Sequence, residues 1–258
     1  MADISAGGVE FRAGRVIAQS FSTFFRNIIP FGLLALVVMS PTYIHTFLTL
    51  SAVDLAAIES GDTDIGFGSA AASLGELFLG YLVTAALVYG TLQDMKNNKV
   101  SIGECFSQGL ARMFPALGIA IVALILTMLG FVLLIVPGFI VMTMLWVAIP
   151  VVVTERRGFG SLGRSMELTK GYRWRVFLVA VMMIAILFGL TLPVGGVTAG
   201  LIVAGAEMEG LMTGLVAVQW VISALMTSFM AVVYAVSYHD LRVAKEGVDS
   251  DQVAAVFD

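Results

Sequence analysis

The sequence predicts an all-α membrane protein: six transmembrane helices, organised as three repeats of an interfacial amphipathic helix plus a transmembrane hairpin. Three observations predict it. The 258 residues are 59% hydrophobic and 12% charged, with a mean hydropathy of +0.98, too apolar and too poor in surface charge for a soluble globular domain. All 14 Lys and Arg residues fall in alternate gaps between the long apolar stretches. One local pattern also recurs: Phe21-Ser22 precedes Pro30 at the spacing with which Phe106-Ser107 precedes Pro115, each Pro opening an apolar stretch.

A spanning helix needs about 20 mostly apolar residues to cross a hydrocarbon core of roughly 30 Å. The apolar stretches place spans at about 28–50, 69–92, 114–134, 138–154, 176–194 and 211–237. Ahead of the first span, Ile17, Phe21, Phe24 and Ile28 keep helical spacing, and Ile102, Phe106, Leu110 and Met113 do so ahead of the third. The expected interfacial helices are therefore 11–27 and 101–113, with 159–174, richer in charge and lacking the Pro, in the same place before the fifth span. The first residues hold no basic start with a continuous apolar block behind it, so the first span is expected to act as the targeting signal.

The basic residues cluster as Arg12, Arg15 and Arg26; Lys96, Lys99 and Arg112; Arg156, Arg157, Arg164, Lys170, Arg173 and Arg175; and Arg242 and Lys245. By the positive-inside rule these segments and both termini are cytoplasmic. The intervening connections carry only acid (Asp54, Glu59, Asp62 and Asp64; Glu207 and Glu209) or, around Pro137, no charge. Parity settles the uncharged run from Phe114 to Thr154, because a single crossing there would put the cluster from Arg156 to Arg175 outside. A hairpin results. Pro137-Gly138 supplies its expected turn, Pro fixing φ and Gly accepting a positive φ, with Gly130 as the other possible host.

A more specific pattern lies in the second half. Pro137-Gly138, Trp146, Pro150-Val151-Val152-Val153, Glu155, Gly158, Arg164-Ser165, Leu168, Gly171 and Trp174-Arg175, with the closing Tyr238-His239-Asp240-Leu241-Arg242, Lys245-Glu246-Gly247 and Asp249, resemble bacterial membrane proteins related to the membrane domain of glycerophosphodiester phosphodiesterases. The resemblance covers the C-terminal half well and the first two spans by pattern. It implies a fold and a compartment, a bacterial-type inner membrane. It carries over no catalytic residue, since the chain has no room for the soluble phosphodiesterase domain.

The candidate sites fall into two layers. Glu76 sits inside an apolar run, where a charge at mid-membrane costs about 2.5–3.5 kcal/mol on insertion scales. His45, Glu76 and Gln219 lie at similar depths near the acidic side and are expected to share one polar cluster in the outer leaflet; a snorkelling Glu76 with one packing neighbour is the plainer alternative. At the basic side Glu155, Arg156, Arg157, Arg164, Glu167, Lys170, Arg173, Arg175, Asp240 and Arg242 form an ionic cluster. It can fasten the third interfacial helix to the end of the last span, or hold lipid phosphate on the guanidinium forks of Arg156, Arg157, Arg164, Arg173 and Arg175, where replacing Arg164 and Arg175 is expected to weaken anionic lipid more than replacing Lys96 and Lys99.

Other signals lead to bland readings. The Gly-x-Gly-x-x-Gly string from Gly158 to Gly163 has no preceding strand and reads as a turn rather than a dinucleotide loop. Asp62-Thr63-Asp64-Ile65-Gly66 lacks the later ligands of a calcium loop. Neither histidine has metal-ligand neighbours at suitable spacing, and no nucleophile triad or Walker pattern appears. The lone Cys105 reads as a small buried apolar residue. The expectation is a non-enzymatic membrane protein without cofactor or metal, taking membrane lipids, anionic phospholipid foremost, or a membrane-protein partner, and not nucleic acid. A small transporter or channel is the first alternative and a membrane-embedded enzyme the second.

Overall fold

A computed structural model describes residues 10–52, 67–98, 100–204 and 208–247. The acidic connection of Asp54, Glu59, Asp62 and Asp64, the string ending at Gly66, and Lys99, Glu207 and Asp249 lie outside them. The described chain is all-α: α1 Ala13–Arg26, α2 Ile28–Ala52, α3 Phe67–Met95, α4 Ile102–Leu133, α5 Ile135–Met144, α6 Ala148–Glu155, α7 Gly160–Thr169, α8 Arg173–Val203 and α9 Met208–Glu246. Six segments are long and apolar enough to cross a membrane: Ile28–Leu48, Ser73–Met95, Ile102–Leu133, Ile135–Glu155, Arg173–Leu201 and Thr213–Glu246. The protein is thus a multi-pass helical membrane protein with six candidate spans.

Helix α9 is the hub, packed against α1, α2, α3, α6, α7 and α8. Its sequence explains the role. Ala224, Ser228, Ala231 and Ala235 recur at helical spacing and are fully buried, so neighbouring backbones can come close along that stripe. Ser228 sends its hydroxyl to the Ala224 carbonyl at 2.9 Å, as Thr84 does to Gly80 at 2.8 Å in α3, so these polar side chains enter the packed seam without an orphaned donor. Between α3 and α4 the approach is closer still: a Cβ on Gly109 would lie 2.6 Å from that of Ala86, and one on Gly90 would lie 2.8 Å from the sulfur of Cys105. Cys105 is buried in that contact.

Packing is strongly one-sided along the bundle. Among the described residues every buried apolar side chain lies in the half nearer the basic clusters: Phe11 to Met39, Leu82 to Val88, Cys105 to Ala120, Leu145 to Val153, Leu168 to Met183, and Ala224 to Leu241. The far ends of the same helices contribute none. The last part of α8 presents Phe188, Leu192, Val197 and Val203, the last 88% exposed.

Three boundaries differ from the sequence reading. The segment 101–113 forms no separate interfacial helix; α4 runs unbroken from Ile102 through Pro115 to Leu133. Its apolar residues Ile102, Phe106 and Leu110 face outward while Cys105 and Gly109 face the bundle, and in lipid such a helix tolerates an interior Pro. The hairpin turn is not Pro137-Gly138. It is one extended residue, Leu134 (φ −167°, ψ 156°), a backbone any side chain adopts. Pro137 instead falls in the first turn of α5, where its missing N–H would have had no helical acceptor. Gly138 and Gly130 serve close approach, since a Cβ on Gly138 would sit 2.4 Å from the Phe131 ring and one on Gly130 would sit 3.0 Å from the Gly138 Cα.

The fourth span is also interrupted, at Leu145–Val147. The break is stitched from α7: Ser165 donates its hydroxyl to the Met144 carbonyl at 2.8 Å. Trp146, in the break, donates its ring N–H to the Ser237 hydroxyl at 3.3 Å and meets Tyr234 edge-on at 5.0 Å between ring centres.

Candidate functional site

Two adjoining recesses separate the helices where the packed half gives way to the open one. The deeper, of about 880 Å³, runs between α3, α4, α8 and α9 down to Trp146 and Tyr234. The shallower, of about 620 Å³, is framed by α2, α8 and α9, and Met39, Glu76 and Ser223 line both. Glu76 and Gln219 both line the second recess. His45 is exposed and does not line it, although Thr42, Tyr43 and Thr46 of the same helix do. The Tyr43 ring stacks on Trp220 at 4.8 Å, forming an aromatic wall beside Gln219. These rings carried no signal in the sequence because their pairing joins α2 to α9.

At the basic end the expected single ionic cluster resolves into three groups. The first centres on Glu155, whose Oε1 accepts hydrogen bonds from Arg164 Nε at 3.3 Å and Tyr238 Oη at 3.0 Å. Arg157 Nε lies 2.9 Å from its Oε2, an ion contact that lacks hydrogen-bond alignment. Arg164 is further engaged by Glu246 and, at 3.8 Å, by Glu167, and Arg242 donates to Glu246 at 2.8 Å. The second group straps α1 across the bundle. Arg15 meets Asp240 at 3.2 Å, Arg26 meets Asp94, and Arg175 donates to the Phe11 carbonyl at 2.8 Å and to Glu10. The Arg175 guanidinium holds the exposed Glu10 carboxyl below the usual carboxylate range. His239 Nδ1 lies 3.5 Å from Asp240.

The third group joins Arg156, expected from sequence to meet phosphate, to Arg112, which the sequence did not place in the cluster. Arg112 and Arg156 line a pocket of about 440 Å³ with Gln108, Pro115, Val152 and Gly158, and no carboxylate lines it among the described residues. Arg112 is fixed there by donating to the Val153 carbonyl and, at 2.8 Å, to Gln108 Oε1. Arg156 caps α6 in the left-handed region (φ 54°), and Gly158 follows at φ 54°. A non-glycine residue held there costs about 1–2 kcal/mol. The Gly-rich string is accordingly a turn into α7. Of the arginines expected to meet phosphate, Arg157, Arg164 and Arg175 face carboxylates, and Arg173 Nε is buried without a hydrogen-bond partner among the described residues.

Among the described residues no group of three His, Cys, Asp or Glu side chains could hold a metal ion. Comparison with protein-family models, with curated proteins and with solved structures finds no match to this chain.

Proposed function

We propose that this is a non-enzymatic membrane protein that binds anionic phospholipid at its basic end. The observation that carries this reading is the pocket of Arg112 and Arg156. Two arginines line one small concavity with no carboxylate in its wall among the described residues, beside the ends of spanning helices, where phosphate headgroups reside. Guanidinium forks suit phosphate oxygens bidentately, and the left-handed Arg156 is a strained position of the kind that clusters at binding sites. Arg164 and Arg175, two of the five arginines expected from sequence to meet phosphate, act in this reading as struts between helices.

The basic end faces the cytoplasm by the positive-inside rule, which puts both termini there and suits a bacterial-type inner membrane. The resemblance to the membrane domain of glycerophosphodiester phosphodiesterases agrees with that placement.

Native mass spectrometry of the purified chain with phosphatidylglycerol and phosphatidylcholine tests the proposal. The anionic lipid should be retained preferentially, and Arg112→Gln with Arg156→Gln should remove the preference. Lys96→Gln with Lys170→Gln, the same charge change at two exposed positions, should leave it. Equal retention of both lipids by the native chain would sink the reading.

A further inference from the structure

The two recesses make no use of the basic pocket, and their chemistry is different. Among the described residues Glu76 is the only charged side chain lining either recess, and it lines both. Around it the walls are apolar and soft: Met39, Met142, Met183, Met226 and Met230 line the deeper recess, whose floor is the edge-on pair of Trp146 and Tyr234. The shallower recess carries the stacked rings of Tyr43 and Trp220. The deeper volume of about 880 Å³ lies within the range of small-molecule sites.

The geometry points to a binding site in these recesses for a lipophilic organic cation, a molecule with one delocalised or quaternary positive charge on an apolar body. A carboxylate lining both recesses supplies the counter-charge, and the aromatic rings that line them, Trp146 and Tyr234 in one and Tyr43 and Trp220 in the other, can attract a cation through their ring quadrupoles. The methionine thioethers give an adaptable apolar wall that fits bodies of differing shape. Other occupants fit less well. An anion meets Glu76 with no basic side chain among the described residues lining either recess. An inorganic cation has one carboxylate and no metal-holding group among the described residues. A neutral acyl chain leaves the carboxylate facing hydrocarbon.

The test compares two probes of near-equal size and shape and opposite charge, tetraphenylphosphonium and tetraphenylborate, titrated onto the full chain in zwitterionic nanodiscs. Binding is read by isothermal calorimetry and by quenching of tryptophan fluorescence. Tetraphenylphosphonium should saturate at one per chain, and tetraphenylborate should bind about tenfold more weakly or not at all. Glu76→Gln should weaken phosphonium binding by about tenfold, and Glu76→Asp by less. Gly80 lines the deeper recess, and a Cβ there meets nothing within 4 Å, so Gly80→Leu should fill the space without disturbing the backbone and abolish binding. The native elution profile and melting temperature of Gly80→Leu show that the fold is kept. Arg112→Gln with Arg156→Gln should leave phosphonium affinity unchanged, separating this site from lipid binding at the other end. Equal affinity for the two probes, or wild-type affinity in both Glu76→Gln and Gly80→Leu, overturns the proposal.

Discussion

The two halves of the bundle are built from the same helices and differ in almost everything else. Near the basic clusters small residues on α3 and α9 interlock, Gly109 and Gly90 admit close neighbours, and α1 and α7 are tied on by ion pairs and hydroxyl contacts. Toward the other end α8 is exposed along its whole outer part, and the space it leaves holds Glu76, methionines and aromatic rings. Lipid tails are as apolar as leucine, so helices gain little from hydrophobic transfer and associate through close contact. Small residues make that contact in the packed half, where Gly109 meets Ala86, whereas Gly195, Gly196 and Gly200 in the outer part of α8 have no neighbouring atom within 4 Å of where a Cβ would stand.

Leu87→Ala should break this arrangement most. Leu87 is fully buried, and the cavity left should cost about 3 kcal/mol. The same change at Leu190, 47% exposed, should be nearly neutral; thermal unfolding in one detergent compares them, and equal losses would mean that the halves are not energetically distinct. Two glycines sharpen the contrast. Gly109→Val forces α4 from α3 and should cost about 2 kcal/mol, while Gly195→Val, with no atom within 4 Å of its Cβ, should leave the melting temperature unchanged. Differential scanning fluorimetry would expose any reversal.

Not every residue of the packed half serves stability. Arg156→Gly should relieve the left-handed backbone and raise stability by about 1 kcal/mol while lowering retention of anionic lipid in native mass spectra. A drop in both would show that Arg156 is structural.

The smallest effect concerns the strap of α1. Arg175 lowers the Glu10 pKa, so the contact is complete above the unfolded-state pKa of a carboxyl and is lost as pH falls through the depressed folded value. Hydrogen exchange near Phe11, corrected for intrinsic rates, should stay protected through mildly acidic pH and rise only at stronger acid. Arg175→Gln should remove that late step.

The spans were legible because hydropathy is a local property, and α1 was legible because its amphipathic period precedes a charge-free stretch. Pro115 and Pro137 misled for one reason. A proline reads as punctuation, yet α4 carries Pro115 in its interior and α5 absorbs Pro137 in its first turn. Leu134, the real turn, has no local signature because extended backbone suits any residue. Glu76 and Gln219 both line the second recess, and the rotation that keeps His45 out of it could not be read from depth along a helix. The arginine pairings were hidden because they link residues far apart in the chain: Arg164 to Glu246, Arg15 to Asp240 and Arg175 to Glu10.

Helix α9 has one more consequence, which concerns length. Its 39 residues, at 1.5 Å each, measure about 58 Å, roughly twice the hydrocarbon thickness of a bilayer. Even strongly tilted, such a rod projects well past the acyl chains. Its final turns, bearing Asp240, Arg242 and Glu246, therefore stand among headgroups and water as a post to which α1 and α7 are moored. Charges held there escape the cost of entering hydrocarbon, and their grip on the two short helices is left to the ionic strength of the medium.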